Sequence, residues 1–265
     1  MLGAIIGDIV GSRFEWNNHR NKEFTFFSKE CFTTDDSIMS LAIAKAILLS
    51  KADYSDLSEN AVKYMQAIGR KYPGCGYGRR FSGWIFSDDP VAYNSYGNGA
   101  AMRVSAAGFA AKSLQEAKEL SKLVTEISHN HPEGMKGAEA TAVAIYMART
   151  GSSISEIKDH IKENYYHIDF TLDEIRTSYR FNETCQDTVP QALEAFFESV
   201  GFEDAIRNAI SIGGDSDTLA AICGGVAEAY YGIPEELRNE ALEFLDEELL
   251  EILTLFESKY PSIFL

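Results

Sequence analysis

Two acidic segments, each directly ahead of a long apolar helical run, carry the residue types that bind hard divalent cations. The first reads Thr-Thr-Asp-Asp-Ser at 33–37, and the second reads Gly-Gly-Asp-Ser-Asp-Thr at 213–218. Mg²⁺, Mn²⁺ and Ca²⁺ prefer carboxylate, hydroxyl and other oxygen ligands. If the fold brings both segments together, they form two halves of one cation site, and the protein is a metal-assisted hydrolase.

Helix capping is the alternative interpretation of both segments. Asp, Ser and Thr are favoured N-caps, and acidic residues in a first helical turn interact well with the helix dipole. Asp215 and Asp217 would point about 200° apart on a helix, so they can share an ion only from a turn. Gly213 and Gly214 permit such a turn, and the helix should then begin near Thr218. The residues alone leave the cap and the ligand interpretations open.

The N-terminal segment contributes a third acidic candidate. Glycines at 3, 7 and 11 are spaced four apart, and on a helix they form a flat stripe against which a second helix can pack. Glu15 follows between two aromatic residues, and a carboxyl group in partly apolar surroundings has a raised pKa that suits proton transfer. The alternatives are an ordinary surface role for Glu15 and a structural hydrogen-bonding role for Asp8.

Three polar loops are candidates for substrate binding. The loops 73–81 (PGCGYGRRF) and 94–103 (NSYGNGAAMR) are rich in glycine, which lets backbone N–H groups approach an anion. Neither loop is a Walker A motif or a strand-flanked G-x-G-x-x-G. The alternative to anion binding is therefore that both are simply tight loops between helices. Tyr77, Phe81 and Tyr96 are candidates to stack on a base or ribose. In 128–134 (SHNHPEG) the histidines favour a substrate contact over a metal, because the acidic clusters suit a hard ion better.

Composition narrows the function class. The 265 residues carry a formal charge of −16, which argues against the cation-driven binding of nucleic acid. No apolar run reaches the roughly 18 residues of a membrane span, and residues 1–10 lack the basic start of a signal peptide. The four cysteines form no C-x-x-C pair, which indicates small buried side chains in a reduced, cytoplasmic protein. The lack of a long apolar run leads us to expect no membrane partner.

Helical periodicity runs through nearly the whole chain and predicts an all-α fold of roughly ten helices. The run 37–49 is apolar on too many sides for an exposed helix and should be central. Ser155 is expected as an N-cap and Pro190 at a first helical position. The segment 24–32 is a candidate for a short extended piece, although its surroundings are typical of a loop. The predicted helices are 37–49, 58–71, 99–111, 113–127, 137–149, 155–164, 190–199, 202–212, 218–231 and 234–255.

Seven motifs occur in a fixed order along the chain, and together they resemble the ADP-ribosylglycohydrolases. This family includes the dinitrogenase reductase-activating glycohydrolase and the mammalian ADP-ribosylhydrolases, and the resemblance runs from residue 3 to about 234. It implies a single-domain orthogonal helix bundle over 1–265, with two Mg²⁺ or Mn²⁺ ions at the base of an ADP-ribose cleft. The motifs are GDIVGSRFE at 7–15, TDDS at 34–37, GYGRRF at 76–81, SYGNGAAMR at 95–103, SHNHPEG at 128–134, VPQAL at 189–193 and SIGGDSDT at 211–218.

The resemblance also implies roles for individual residues. Glu15 matches an acidic residue tied to catalysis, with Asp36 as the other candidate general base, and His129 matches a substrate-contacting histidine. Where better-known members have a proline near 13 or 14, this chain has Arg13 and Phe14. The implied metal ligands are Thr34, Asp35, Asp36, Asp215, Asp217 and Thr218. The implied substrate-binding residues are Gly76, Tyr77, Gly78, Ser95, Tyr96, Gly97, Asn98, Gly99 and His129.

The expected reaction is hydrolysis of the glycosidic bond at the proximal ribose C1″ of an ADP-ribosylated protein or small molecule, which releases ADP-ribose. Two other classes stay open at this point. One is a catalytically silent ADP-ribose-binding module, since the family fold also occurs in a lens crystallin. The other is a two-metal phosphohydrolase, which would release AMP. The sequence does not distinguish arginine, serine, O-acetyl or nucleic-acid linkages, and it does not indicate an oligomeric state.

Overall fold

The computed structural model describes residues 1–262, and within that range the chain forms helices joined by turns and loops. The segment 24–32 forms no strand, and the β pairing in the described chain is one isolated antiparallel bridge between Gly97 and Thr184. The all-α prediction is therefore confirmed. In chain order the helices are α1 (Leu2–Ser12), α2 (Asp35–Leu49), α3 (Leu57–Gly69), α4 (Arg79–Phe86), α5 (Gly99–Met102), α6 (Ser105–Ala110), α7 (Leu114–Thr125), α8 (Pro132–Arg149), α9 (Ile154–Asn164), α10 (Leu172–Ile175), α11 (Cys185–Phe197), α12 (Phe202–Ser211), α13 (Ser216–Tyr231), α14 (Glu235–Leu242) and α15 (Glu247–Lys259).

Helices α1 and α13 pack backbone against backbone in the interior. A β-carbon placed on Gly7 would lie 2.0 Å from the carbonyl oxygen of Ala220, and one on Gly11 would lie 2.5 Å from the α-carbon of Asp217. Gly3 meets the backbone of α13 in the same way. The glycine stripe predicted from the sequence is thus a helix contact, and it brings the end of α1 directly against the start of α13.

Helix α2 is buried on nearly all sides, as its wide apolar face predicts. Eleven of its fifteen residues are buried, and it packs against α1, α3, α6 and α15. A helix that is apolar all round is stable only inside the core. The interior position of α2 fixes where its N-terminus, with the first acidic segment, can lie.

The prediction of roughly ten helices is too low: the described residues form fifteen, because two predicted helices each break into two and because α1, α4 and α10 were not among the ten. The segment 99–111 breaks into α5 and α6 at Arg103, whose side chain is fully buried and donates to Ser128 Oγ at 2.7 Å. The segment 234–255 breaks into α14 and α15 at 243–246. Asp246 accepts a hydrogen bond from the backbone N–H of Leu249 at 3.1 Å and caps α15.

Two predicted helix starts are also wrong. Helix α9 is capped by Ser153 instead of Ser155, because Ser153 and Glu156 form a reciprocal capping box. Pro190 lies inside α11 instead of at its start. The earlier turn is held by the N–H of Cys185, which donates to the Tyr96 carbonyl oxygen at 3.0 Å. This contact compensates for the backbone hydrogen bond that Pro190 cannot donate within the helix, because proline has no N–H.

The cysteines and the helix lengths agree with the composition. All four cysteines are free, and Cys31, Cys185 and Cys223 are buried, as expected for small apolar side chains. Between residues 1 and 262, no helix is both long enough and apolar enough for a membrane span.

Gly7→Ala is expected to destabilise the protein by about 2–3 kcal/mol, because its methyl group would collide with backbone atoms that cannot rotate away. Gly83→Ala is the matched control. Gly83 is an exposed residue of α4 with no atom within 4 Å of an added β-carbon, and alanine favours a helix over glycine by up to about 1 kcal/mol. Chemical denaturation of both variants measures the difference, and equal stability would contradict the close contact.

Candidate metal and substrate site

The start of α2 is anchored by a carboxylate from α1. Asp8 is fully buried and accepts hydrogen bonds from the backbone N–H of Thr34 at 3.0 Å and from its hydroxyl at 2.6 Å. It also accepts from the N–H of Ser37 at 3.0 Å and from the Ser37 hydroxyl. The structural role considered for Asp8 is confirmed, and its oxygens are already engaged by four donors.

The start of α13 follows a turn made of two glycines. Gly213 and Gly214 have φ values of 69° and 83°, a conformation that favours glycine. A β-carbon on Gly214 would also lie 2.4 Å from the ring of Tyr179. Asp215 follows as the N-cap residue, and its Oδ2 accepts from Asn98 Nδ2 at 2.7 Å.

The sequence predicted that α13 begins near Thr218, whereas the helix begins at Ser216. Asp215 therefore precedes the helix while Asp217 lies in its first turn. Because the two carboxylates are not both on regular helix, the opposite directions of an i, i+2 pair do not apply, and both residues face one cavity.

The two acidic segments meet, as the metal-site hypothesis requires. The Thr218 hydroxyl donates to Asp36 Oδ2 at 3.3 Å. Carboxylate oxygens of Asp8, Asp36 and Asp217 lie within 4.8 Å of one another, and the same holds for Glu15, Asp215 and Asp217. The two groups share Asp217, so the geometry offers two adjacent oxygen-rich positions.

Burial and mutual repulsion make these carboxylates poor anions without a counter-charge. Burial first, then the negative charge of Asp217, raises the pKa of both Asp35 and Asp36 well above the usual range. Burial, followed by the negative charge of Asp215, raises the pKa of Asp217 well above the usual range. Burial raises the pKa of Asp215 to about 6. An added cation would reverse these shifts.

Two carboxylate oxygens of this site, Asp36 Oδ1 and Asp217 Oδ1, are buried without any hydrogen-bond partner. Buried polar atoms are nearly always satisfied, so such atoms call for a ligand. A divalent cation with oxygen preference fits this donor set. The hydroxyl groups of Thr34 and Thr218 each engage a neighbouring aspartate and keep lone pairs for an ion.

Glu15 is positioned by contacts that the sequence analysis missed. Asn18 pairs with Gly214 through two hydrogen bonds of 2.9 Å each, and Arg20 donates to the Ile212 carbonyl oxygen at 2.7 Å. These contacts tie the loop after α1 to the turn before α13. Burial and the charge of Asp217 raise the pKa of half-buried Glu15 to about 7, in the range that suits proton transfer.

The acidic groups form one side of a cavity of about 300 Å³. Gly76 fits closely here, since it has a φ of 119° and a β-carbon on it would lie 2.8 Å from Asp35 Oδ1. The cavity is lined by Glu15, Thr34, Asp35, Asp36, Gly76, Gly78, Arg79, Arg80, Phe81, Tyr93, Ser95, Gly97, Asn98, Gly99, Met102, Arg103, His129, Glu183, Asp215, Asp217 and Thr218.

Most of the expected substrate-binding residues line this cavity: Gly76, Gly78, Ser95, Gly97, Asn98, Gly99 and His129. Tyr77 and Tyr96 do not line it in the described chain. The Tyr77 hydroxyl donates to the Gly69 carbonyl oxygen at 3.4 Å. The exposed ring of Tyr96 packs edge-on to His131, with centroids 5.1 Å apart. Of the three aromatic candidates for stacking, Phe81 is the one in the cavity.

Arg103 is a cavity residue that the sequence analysis did not single out. It is fully buried, and its Nε and Nη1 have no hydrogen-bond partner. Burial lowers its pKa to about 10, so it remains a cation. Burial first, then Arg103 itself, lowers the pKa of His129 well below its usual value. His129 is thus neutral beside a fixed positive charge. In the sequence, Arg103 could have been identified as a single arginine within a run of small and apolar residues.

The family model for ADP-ribosylglycohydrolases matches residues 1–261. The human ADP-ribosylhydrolase ARH3 is 24% identical, with 94% of this chain and 90% of that protein covered. The ADP-ribosylarginine hydrolase Tri1 of Pseudomonas putida is 27% identical, with 88% and 70% covered. The ADP-ribosyl-[dinitrogen reductase] glycohydrolase of Rhodospirillum rubrum is 25% identical, with 76% and 70% covered.

A solved structure shares the fold. It is described as an ADP-ribosylglycohydrolase-related protein complex and superposes with a TM-score of 0.67 at 21% identity. The match covers 98% of this chain and 95% of the other. The orthogonal helical fold that the motifs implied is confirmed.

The cation-free protein is expected to lose thermal stability as the pH rises from about 5 to 8. An acid with a higher pKa in the folded than in the unfolded state stabilises the fold fully below its unfolded pKa, near 4. That contribution is lost as the pH rises through the folded values of about 6 for Asp215 and about 7 for Glu15. Calorimetry in a chelating buffer gives the melting temperature across this window.

The control is the double variant Asp36→Asn/Asp217→Asn, which removes two of the repelling charges. Its melting temperature should fall less than that of the wild type over the same pH range. The comparison also separates the carboxylates from His129, whose lowered pKa acts in the opposite direction. Identical pH profiles for the two proteins would contradict the electrostatic account of the site.

Proposed function

The chain belongs to the ADP-ribosylglycohydrolase family, and we propose that it uses two divalent cations, Mg²⁺ or Mn²⁺, to hydrolyse the glycosidic bond between ADP-ribose and an acceptor. The acceptor is a protein side chain or a small molecule, and the product is ADP-ribose. The main support is the meeting of the two acidic segments in one cavity, where Asp36 Oδ1 and Asp217 Oδ1 lack partners.

The proposed ion ligands are the six residues of the two segments that border the cavity. When bound, divalent cations would orient the ribose, stabilise developing charge and make water a better nucleophile. The side chains of this protein position the ion-ligating residues and transfer a proton. The ligand set is Thr34, Asp35, Asp36, Asp215, Asp217 and Thr218.

Glu15 is the proposed general base, in preference to Asp36. Its half-buried carboxyl group can exchange protons with solvent, and burial is the first cause of its raised pKa. Asp36 is only 2% exposed, and one of its oxygens already accepts from Thr218. Asp36 is therefore better suited to hold an ion than to shuttle a proton.

The glycine-loop side of the cavity suits the pyrophosphate. The glycine loops bring backbone close to the cavity at Gly76, Gly78, Gly97 and Gly99, and Arg103 has two unpartnered nitrogen atoms there. Anionic oxygens prefer such donors. Binding of the diphosphate at this side contributes mainly to affinity, since its charge does not change during hydrolysis.

Asp36→Asn and Asp217→Asn are each expected to lower the rate of ADP-ribose release by at least about 100-fold, because each removes an ionic ligand. Linkage-defined ADP-ribosylated substrates, tested with Mg²⁺ and with Mn²⁺, provide the assay. Asp88→Asn, at an exposed site outside the cavity, is the matched control. Release by either site variant at the wild-type rate would refute the proposal. AMP as product would indicate a phosphohydrolase, and ADP-ribose binding without turnover would indicate a binding module.

Glu15→Gln is expected to lower kcat by about 10²- to 10⁴-fold, the usual contribution of a general base, with little change in KM. Added Mn²⁺ should still raise its melting temperature, because the ion ligands are intact. Asp36→Asn should lose both activity and that increase. If Asp36→Asn keeps the Mn²⁺ effect while Glu15→Gln loses it, the assigned roles are reversed.

A further inference from the structure

A buried series of hydrogen bonds leads from Arg103 to His129. Nη2 of Arg103 donates to Ser128 Oγ at 2.7 Å, and Ser128 Oγ lies 2.9 Å from His129 Nδ1. The same Nη2 atom is also 3.4 Å from His129 Nδ1. Arg103 and Ser128 are fully buried and His129 is 4% exposed, so these contacts are made away from bulk water. The series couples a fixed cation to one side of the imidazole ring.

The backbone holds the histidine in this orientation. The carbonyl oxygen of Thr125, at the end of α7, accepts from the N–H of Ser128 at 3.2 Å and from the N–H of His129 at 2.9 Å. The opposite edge of the ring faces the cavity. A β-carbon placed on Gly97 would lie 3.6 Å from His129 Nε2, and one placed on Gly99 would lie 3.4 Å from it. The ring therefore directs Nδ1 to Ser128 and Nε2 to the glycine segment that lines the cavity.

The donors and acceptors of this series determine the tautomer of His129. A guanidinium group only donates, so Arg103 occupies one lone pair of Ser128 Oγ and leaves the hydroxyl proton for another atom. Among residues 1–262, Ser128 Oγ is hydrogen-bonded to Arg103 Nη2 and to His129 Nδ1, and of these two only Nδ1 can accept. A proton on Nδ1 would instead face the guanidinium N–H and leave the hydroxyl without an acceptor. Nδ1 is therefore unprotonated, and the ring proton lies on Nε2.

The surroundings favour the same neutral form. Burial first, then the positive charges of Arg103 and Arg80, lowers the pKa of His129 well below its usual value and so opposes a second proton. The guanidinium carbon of Arg103 lies 5.2 Å from the ring centroid of Phe81, a contact that stabilises a cation. The ring of Phe81 also packs edge-on to His129, with centroids 6.0 Å apart. One aromatic side chain thus helps to hold both the arginine and the histidine.

We propose that Arg103 and Ser128 are positioning residues that hold His129 as its neutral Nε2–H tautomer, a fixed hydrogen-bond donor to a diphosphate oxygen of the ligand. This inference rests on the proposed function for the identity of that ligand. His129 then does not act as a general base, because the nitrogen atom that faces the cavity already carries the proton. Ionised phosphate oxygens only accept hydrogen bonds, so a donor of fixed tautomer binds them without any shift of a proton.

The tautomer can be observed in the protein without any ligand. The chain has five histidines, and His129→Asn identifies the signals of His129 in a long-range ¹H–¹⁵N spectrum. At neutral pH we expect Nε2 to be protonated and Nδ1 to be unprotonated. A proton on Nδ1 in the wild type would overturn the proposal, and this measurement needs no variant of the series itself.

The role of Arg103 has its own spectroscopic test. In Arg103→Met no cation faces Nδ1, and the Ser128 hydroxyl is free to accept as well as to donate. Both neutral tautomers should then be populated, so the ¹⁵N shifts of Nδ1 and Nε2 should move toward each other. Shifts identical to those of the wild type would refute a positioning role for Arg103.

Ligand binding tests the role of Ser128. Ser128→Ala should weaken ADP-ribose binding by about 3- to 30-fold, the range of one buried hydrogen bond, and raise KM with little change in kcat, since diphosphate binding is uniform. The increase in melting temperature with Mn²⁺ should remain, because the ion ligands are unchanged. Ser121→Ala is the matched control, since that serine is also buried and its hydroxyl donates to the Lys118 carbonyl oxygen at 2.9 Å within α7. Equal affinity of Ser128→Ala and Ser121→Ala would contradict the proposal.

The outcomes separate this inference from the proposed function. If the wild type hydrolyses ADP-ribosylated substrates while His129 carries its proton on Nδ1, the positioning role fails and hydrolysis stands. If the wild type hydrolyses no ADP-ribosylated substrate, the proposed function fails. In that case the ¹⁵N spectrum of the ligand-free protein still decides the tautomer.

Discussion

The close contact between α1 and α13 is the constraint on which the site depends. Because Gly11 has no side chain, the end of α1 lies against the backbone of Asp217. This contact brings the carboxylate of Asp8 within 4.8 Å of those of Asp36 and Asp217, one from each acidic segment. Asp8 in turn holds the start of α2 through Thr34 and Ser37. Packing between uncharged backbones thus determines the spacing of charged groups that would otherwise repel each other.

Helix termini provide part of the compensation for that repulsion. Asp36 lies in the first turn of α2 and Asp217 in the first turn of α13, where the partial positive charge of the helix dipole favours an anion. The dipole contributes at most about 1–2 kcal/mol per helix, whereas the pKa values of both residues remain well above normal. The helix termini alone are therefore insufficient to stabilise Asp36 and Asp217 as anions. The two interpretations left open by the sequence are not exclusive, since residues that begin a helix can also hold an ion.

Features that depend on short spacing could be predicted from the sequence, and features that depend on distant contacts could not. The glycine stripe of α1 and the acidic segments at 33–37 and 213–218 each act within a few residues. By contrast, Asn18 reaches the turn before α13 across 196 residues, and Arg103 breaks a helix that its neighbours favour. The direction of the Tyr77 ring likewise depends on packing against α3 and α4. Local pattern identifies the chemical groups, and tertiary contacts decide which of them face the cavity.

The cavity contains unsatisfied groups of both signs, and this combination restricts its ligand. Asp36 and Asp217 each present an oxygen without a donor, and Arg103 presents two nitrogen atoms without an acceptor. A cation alone would satisfy the two oxygen atoms and leave Nε and Nη1 of Arg103 without an acceptor, and an anion alone would do the reverse. The proposed substrate would satisfy both, since it carries phosphates at one end and hydroxyls that can chelate divalent ions at the other. Since these groups are held in place before the ligand arrives, little reorganisation is needed when charge develops.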